Sequence, residues 1–494
     1  MAARPTFPAG LALDAHKQQA CGTPIVELPL PPQVVLALDQ GTGYSAEPVV
    51  TVGEAVAAGT LVARAGHPYA SAVHASLAGI VVAIETREAA VPSGRSVCIV
   101  IDGNASNRID DSVRPVADLA ALSPDELVQR LRDAGIAGLG GAGFPTATKL
   151  AYARNLGAHT LVLNGAECEP WICCDDALMR SAADDVVLGA LILRRAASAE
   201  RCVIAIEDDK PAAIAAVTSA IERLRDEALT LAVVPAVYPQ GAERQLITAV
   251  VGVEVPAGGL PADAGVVCQN VATAAAVAHW ATRGEPMLSR VVTVTGSGVG
   301  RPGNVRAPIG APLAALIAAS GGYRDTPLRL IAGGSMTGRA LPSDEVGLTK
   351  SMNCIFVATR DDIGSRLEAV EVPCIRCGDC AGVCPAGLLP QQLLRAAHAD
   401  AHDTLRQLGL SDCIDCGLCD YVCPSQILLA DRFRDARRRL QEAAAMAQKA
   451  ADARERHGLR KRRQQEAATA EQQTFESVRD RARRPDDDSA GDSN

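Results

Sequence analysis

Eight of the sixteen cysteines stand in one pattern written twice. Cys374, Cys377, Cys380 and Cys384 precede Pro385, and Cys413, Cys416, Cys419 and Cys423 precede Pro424. Each copy reads C-x2-C-x2-C-x3-C-P. Two-residue gaps let three successive thiolates wrap one corner of a cube, and the proline turns the chain away after the fourth. In this arrangement the first three cysteines of a copy hold one [4Fe–4S] cubane and the fourth reaches the other. The expected ligand sets are Cys374, Cys377, Cys380 and Cys423 for cluster 1, and Cys413, Cys416, Cys419 and Cys384 for cluster 2. Zinc also takes four thiolates, but zinc ribbons present separated C-x2-C pairs rather than this doubled run. The segment is thus committed to wrapping two inorganic cubes, and the chain to moving electrons.

The remainder far exceeds what that wrapping needs. At roughly 100–200 residues per domain, 494 residues predict about three or four domains. The formal charge of −9 is uneven: residues 432–484 hold 16 Lys/Arg against 8 Asp/Glu, which leaves −13 on residues 1–431. An acidic body argues against nucleic acid as a partner, whereas the basic tail suits an acidic lipid or protein surface. The opening MAARPTFPAG has no apolar stretch behind basic residues, so no export signal is expected. No apolar run reaches about 18 residues, so no membrane-spanning helix is expected. These features predict a reduced, cytoplasmic protein that could sit peripherally on a membrane.

The predicted fold class is multidomain α/β. Residues 1–30 read as irregular and proline-rich. From 33 to 102, short β-branched runs separated by glycine (VVLAL, EPVVTVG, LVARAG, GIVVAI, VCIVI) predict a small all-β domain. Ser123-Pro124-Asp125-Glu126 opens a helix with a cap, a first-turn proline and acids. Strands over 160–163, 202–206 and 229–237 then alternate with helices over 177–197 and 211–225, which predicts a Rossmann-like parallel sheet. The chain turns β-rich again from 290, with one helix near 312–319. The resulting domains are 1–115, 116–287, 288–345, 346–430 for the clusters, and a charged helical tail over 431–494 with a disordered acidic end.

Inside the α/β region, Gly138, Gly140, Gly141 and Gly143 fall within nine residues, GLGGAGFPT, in a stretch expected to run from helix to strand and followed by Lys149. Glycines let backbone N–H groups approach an anion, and a nearby lysine can neutralise a phosphate. The loop lacks the GK[ST] of a Walker motif. A predicted strand then ends in Asn164-Gly165-Ala166-Glu167-Cys168-Glu169-Pro170. Polar residues at a strand's carboxyl end, beside a glycine loop, stand where ligands bind in open α/β sheets.

GLGGAGFPTATK and NGAECEP together resemble the flavin- and NADH-binding subunit of respiratory complex I. With the two cluster motifs of bacterial-ferredoxin type downstream, the order over about 10–430 resembles the C subunit family of the Rnf ion-translocating electron-transport complexes. The resemblance implies non-covalent FMN, NADH as substrate and an NADH-dependent oxidoreductase subunit. On matching positions, Gly138, Gly140, Gly141, Gly143 and Lys149 would hold phosphate, and Asn164 and Glu167 the isoalloxazine or ribityl chain. Glu169 and Phe144 would contact the nicotinamide nucleotide; YPQGAERQL points to Glu243, and QNVAT to Asn270 and Thr273. Leu139 and Ala166 depart from complex I, which has Arg and Asp there. Residues 49–84 resemble a lipoyl-type β sandwich whose modified lysine is missing, Gly66-His67-Pro68 occupying the turn. The β-rich stretch from 290 resembles a β-grasp (SLBB) module. The implied partners are membrane-embedded and peripheral Rnf subunits, with ferredoxin or flavodoxin as electron partner of the complex. The implied location is the cytoplasmic face of the inner membrane. Two other readings use the same parts: a cobalamin reductase, and a non-catalytic scaffold that docks ferredoxin.

Overall fold

The structure, a computed structural model, describes residues 9–104, 108–324 and 327–483. The acidic end over 484–494, expected to be disordered, lies outside the described residues.

The first β-branched runs pair as one antiparallel sheet in the order Gln33–Ala37, Arg95–Gly103, Gly79–Glu88 and Ala55–Val56. A smaller sheet holds Glu47–Pro48, Leu61–Arg64 and Val73–His74. Val34, Leu36, Val62, Val81, Ile99 and Ile101 from the two sheets share one core. The turn that would carry a lipoyl lysine is exposed, and its His67 ring stacks on Tyr44 with centroids 4.2 Å apart.

Helix Pro124–Asp133 follows the capping signal: Ser123 Oγ accepts the Glu126 N–H, and Glu126 Oε2 accepts the Ser123 N–H at 2.8 Å. The glycine loop departs from expectation, because it runs from this helix into another, Thr146–Asn155, rather than into a strand. Pro145 fixes the entry to that second helix, and Ala, Lys, Leu and Arg within it are good helix formers. The helix expected over 177–197 is two, Cys174–Ser181 and Ala183–Ala196, broken at Ala182. The first starts early because the Glu167 carboxylate accepts the N–H groups of Asp175 (2.9 Å) and Asp176 (3.2 Å). Asp184 and Asp185 then stand in the first turn of the second, where acids complement unpaired N–H groups. The strand expected over 229–237 ends at Val234, since Pro235 has no N–H to give the ladder.

Four parallel strands follow the order Leu229–Val234, Arg201–Glu207, Thr160–Gly165, Val266–Asn270. The chain winds outward in one direction from the strand at Thr160 and then returns to place the last strand on its other side. This reversal makes a switch point between Thr160–Gly165 and Val266–Asn270.

A six-stranded mixed sheet contains the β-grasp module, in the order Val26–Glu27, Gly303–Pro308, Ser289–Thr295, Cys354–Ala358, Arg329–Ala332 and Arg339–Leu341. The stretch read as irregular before residue 30 thus supplies an edge strand, Val26 pairing with Val305. Cys354–Ala358, within the stretch read as part of the cluster domain, lies parallel to Ser289–Thr295. Lys350 fastens these layers: fully buried, it donates Nζ to Ala72 O and Gly135 O, both at 2.7 Å. Burial pushes its amine down to about 7.

The two cysteine motifs fold as a repeat. Arg376 and Asp415 both take left-handed backbone (φ 59° and 55°), and Gly378 and Gly417 follow at φ 92° and 74°. Leu393, Leu394, Leu405, Ile427 and Phe433 close the core around them. The last helix, Leu429–Ala482, has 54 residues, about 80 Å at 1.5 Å per residue. Its first turns belong to the cluster domain: Phe433 and Ala436 are buried, and Arg437 makes two 2.9 Å bonds to the Asp415 carboxylate. Beyond Leu440 it is mostly exposed. Among the described residues, no helix is long and apolar enough to cross a membrane.

Candidate functional site

Asn164 and Asn270 are register partners at the carboxyl ends of the two strands that flank the switch point. Open parallel sheets bind their ligands in the crevice at such a point. A cleft of about 690 Å³ opens there, lined in part by Gly140, Asp175, Tyr238, Asn270 and Cys416. It continues into a second lobe of about 740 Å³, bounded by Gly41, Val91, Gly141, Gly333 and Arg339. The two lobes share Gly140, Glu169, Thr337 and Asn353.

The glycine loop forms one wall. Gly141 has φ +107° and open space where a Cβ would stand, so its backbone faces the lobe. Gly138 and Gly143 shape the loop from behind. The Gly138 N–H reaches Phe144 O at 2.8 Å, and a Cβ on Gly143 would meet Gln40 O at 2.5 Å. Buried Arg290 anchors the loop through Leu139 O (3.1 Å) and Lys350 O, while Thr273 Oγ1 accepts the Leu139 N–H at 3.0 Å.

The floor is a buried polar network. Asn164 donates Nδ2 to Gly241 O (2.8 Å) and accepts the Ala166 N–H. Asn270 caps helix Val271–Arg283 through the Ala272 N–H and donates Nδ2 to Asp175 at 2.7 Å. Burial first, and then the Glu167 charge, push the Asp175 carboxyl up to about 7, so it titrates near neutrality. Glu167 faces the helix N-terminus it caps, and Lys17 donates to its backbone carbonyl. Glu169 is engaged with the β-grasp module: it accepts the N–H groups of Met336 (3.0 Å) and Thr337 (2.9 Å) and the Thr337 hydroxyl (2.7 Å).

Besides Gly138, Gly143 and Thr273, which shape the loop from behind, three more expected site residues stand outside the lining of both lobes. Lys149 and Glu243 form an ion pair with each other. Phe144 packs against Tyr69 of the first β domain, with centroids 5.5 Å apart. Cys168, Cys173 and Cys174 do not converge on one point. Cys168 accepts the Gly241 N–H, and burial pushes its thiol up to about 12. Cys174, Asp175 and Glu167 have ligand atoms within 4.8 Å of one another, but the Glu167 carboxylate is occupied by backbone N–H groups.

The cysteine motifs enclose two further cavities. Cys384, Cys413, Cys416 and Cys419 surround one, and Cys374, Cys377, Cys380 and Cys423 the other. Apolar Leu388 and Phe433 wall the first, and Leu394 and Ile427 the second. Four thiols converging in a cage walled partly by apolar side chains suit a cubane's four irons. Cys416 lines both its own cage and the cleft, and Tyr238 Oη donates to Cys416 O at 2.7 Å. The site therefore draws on residues that no local pattern flags: Arg290, Arg339, Lys350 and Asn353. The cleft also fits a flavin nucleotide, with open glycine backbone at one end, paired asparagines on the floor and Ile172 on the wall.

Known families match this chain segment by segment. Residues 5–106 match the RnfC barrel sandwich hybrid domain and residues 131–279 the Nuo51 FMN-binding domain. Residues 291–340 match the SLBB domain and residues 373–427 the 4Fe-4S dicluster domain. The expected module order and the expected cofactors, FMN and two [4Fe–4S] clusters, are borne out by these matches. The chain is 44% identical over 475 residues to the C subunit of the ion-translocating oxidoreductase complex of Pseudomonas aeruginosa, covering 95% of this chain and 61% of that protein. Against the same-named proteins of Vibrio cholerae and Erwinia tasmaniensis, identity is 40% over 408 residues and 41% over 458. Those alignments cover 82% and 92% of this chain, and 52% and 56% of the relatives. The chain thus spans a little over half the length of the curated relatives it matches.

Proposed function

We propose that the chain belongs with the C subunits of ion-translocating oxidoreductase complexes that it resembles, and that it is the NADH-oxidising peripheral subunit of such a complex. It exchanges electrons between NADH and two [4Fe–4S] clusters through FMN, in either direction. Bound FMN supplies the exchange of a two-electron hydride for single electrons, and each cubane carries one.

The chain's own residues bind and orient. Gly140 and Gly141 offer backbone N–H groups to an anionic ligand, on a loop shaped by Gly138 and Gly143 and pinned by Thr273. Asn164 and Asn270 hold the floor against the flavin, and Glu167 fixes the segment between them. Glu169 draws the β-grasp loop over the cleft and so excludes water from it. Lys149 and Glu243 pair with each other and Phe144 packs on Tyr69, so these three support the loop from outside the cleft lining. Asp175, which titrates near neutrality, can hold or release a proton beside the cleft.

The observation that carries this reading is the double position of Cys416, a member of one cluster cage and of the cleft lining. It makes the cage of Cys384, Cys413, Cys416 and Cys419 the proximal one and the cage of Cys374, Cys377, Cys380 and Cys423 the exit. In the cell, the acidic body and basic helix favour docking to membrane-embedded subunits on the cytoplasmic face of the inner membrane, with ferredoxin or flavodoxin as the electron partner of the assembled complex. The test is addition of NADH to anaerobic, full-length, FMN-loaded protein. Visible cluster absorbance should bleach, and no bleaching over minutes with both clusters intact would defeat the reading.

A further inference from the structure

The cleft is electrically lopsided. Glu167 and Asp175 line the lobe beside Cys416, and Glu169 stands where the lobes meet. Among the described residues that line either lobe, Arg339 is the one cation, and it lies in the far lobe with Gly141. Lys149, the cation nearest the glycine loop in sequence, is neutralised by Glu243. Leu139, within the loop, is buried and apolar.

Arg339 is held in place by two modules. Its strand pairs with Arg329–Ala332, with Ala332 opposite Arg339, which sets it at the base of the hairpin loop over 333–338. Its Nη1 donates to Val91 O of the first β domain at 2.5 Å. The remaining guanidinium N–H groups have no partner among the described residues. They form a donor fork on an exposed side chain across from open glycine backbone, the arrangement that recognises phosphate oxygens.

We infer that Arg339 binds a phosphate of the nucleotide in this cleft. The phosphates then lie in the lobe of Arg339 and Gly141, and the uncharged ring system lies in the acidic lobe beside Cys416. The reversed orientation would put phosphate charge against Glu167 and Asp175, in a lobe whose lining holds no Lys or Arg. The inference rests on the nucleotide reading above. The phosphate belongs either to the flavin or to the dinucleotide, and the two arms of the test separate them.

The test compares full-length wild type with R339Q and R339K, using iron content as the control for folding. One arm measures FMN retained through gel filtration. The other measures kcat and KM for NADH with ferricyanide as acceptor, at low and high KCl. R339Q should either raise the KM about tenfold at nearly constant kcat, which assigns the dinucleotide, or lower FMN affinity about tenfold, which assigns the flavin. The charge-keeping R339K should recover part of the loss, and salt should weaken wild type more than R339Q. R339A replaces R339Q should the latter lose iron. An iron-replete neutral variant equal to wild type in both arms overturns the inference, as does R339K no better than R339Q. Wild type that neither retains FMN nor oxidises NADH overturns the nucleotide reading itself.

Discussion

The two halves of the proposed electron path are built on opposite plans. Every cysteine of the cluster cages comes from one continuous stretch, residues 374–423, whose spacing dictates the geometry. The cleft is assembled from segments as distant as Gly41, Gly140, Asn270, Arg339 and Cys416, none of which forms a site alone. The cages should therefore fail locally, one ligand at a time. The cleft should fail through the contacts that hold its modules in register.

The largest expected effect is that of Cys416→Ser. Loss of the proximal cubane should take iron from roughly eight to roughly four per chain and stop NADH-driven bleaching of the surviving cluster, while FMN still binds. A variant that keeps all its iron would break the assignment of the cages. Phe433→Ala tests whether the cages depend on their own small core, because Phe433 is fully buried against the proximal cage although it stands on the tail helix. The cost should be about 3–5 kcal/mol of cluster-domain stability, read as faster iron loss to a chelator. Unchanged iron retention would show the helix to be dispensable.

Lys350→Met sharpens the other side of the comparison. The Lys350 amine is lowered from 10.5 to about 7 on folding, so between those values the unfolded chain holds more protons. Stability should then rise with pH across that window, by up to about 1.4 kcal/mol per unit, and the cost of burial is fully present below it. Lys350→Met should flatten this slope in denaturant melts at pH 7 and pH 9. A slope equal to that of wild type would mean Lys350 does not carry it. The smallest effect belongs to Glu169→Gln. It weakens the latch on Met336 and Thr337 by roughly 1–2 kcal/mol, so the loop should gain amide exchange and NADH oxidation should slow while both clusters stay intact. Unchanged exchange and kinetics would remove Glu169 from the site.

The difference in plan also explains what the sequence disclosed. Cysteine spacing is a local constraint, so both ligand sets could be written from residue numbers alone, and the cages gather those same sets. The glycine loop and the NGAECEP strand end were visible for the same reason. The sequence could not show that Lys149 and Glu243 face each other, because a charged side chain's partner is chosen by tertiary packing. Nor could it show that Val26–Glu27 completes the β-grasp sheet, since a two-residue edge strand has no periodicity to detect. The early start of helix Cys174–Ser181 was hidden in the same way, because the cap comes from the carboxylate of Glu167, seven residues before the helix. Arg339 carries no motif and matters only through what lies opposite it.

The contact between Tyr238 and the backbone of Cys416 makes one wall common to the cleft and the proximal cage. Coupling between two such sites is reciprocal. Whatever preference a nucleotide in the cleft has for one oxidation state of that cluster must reappear as a displacement of the cluster's midpoint potential. For a one-electron centre, a tenfold preference corresponds to about 59 mV. Substrate occupancy and the driving force for the next electron are then two readings of a single free energy.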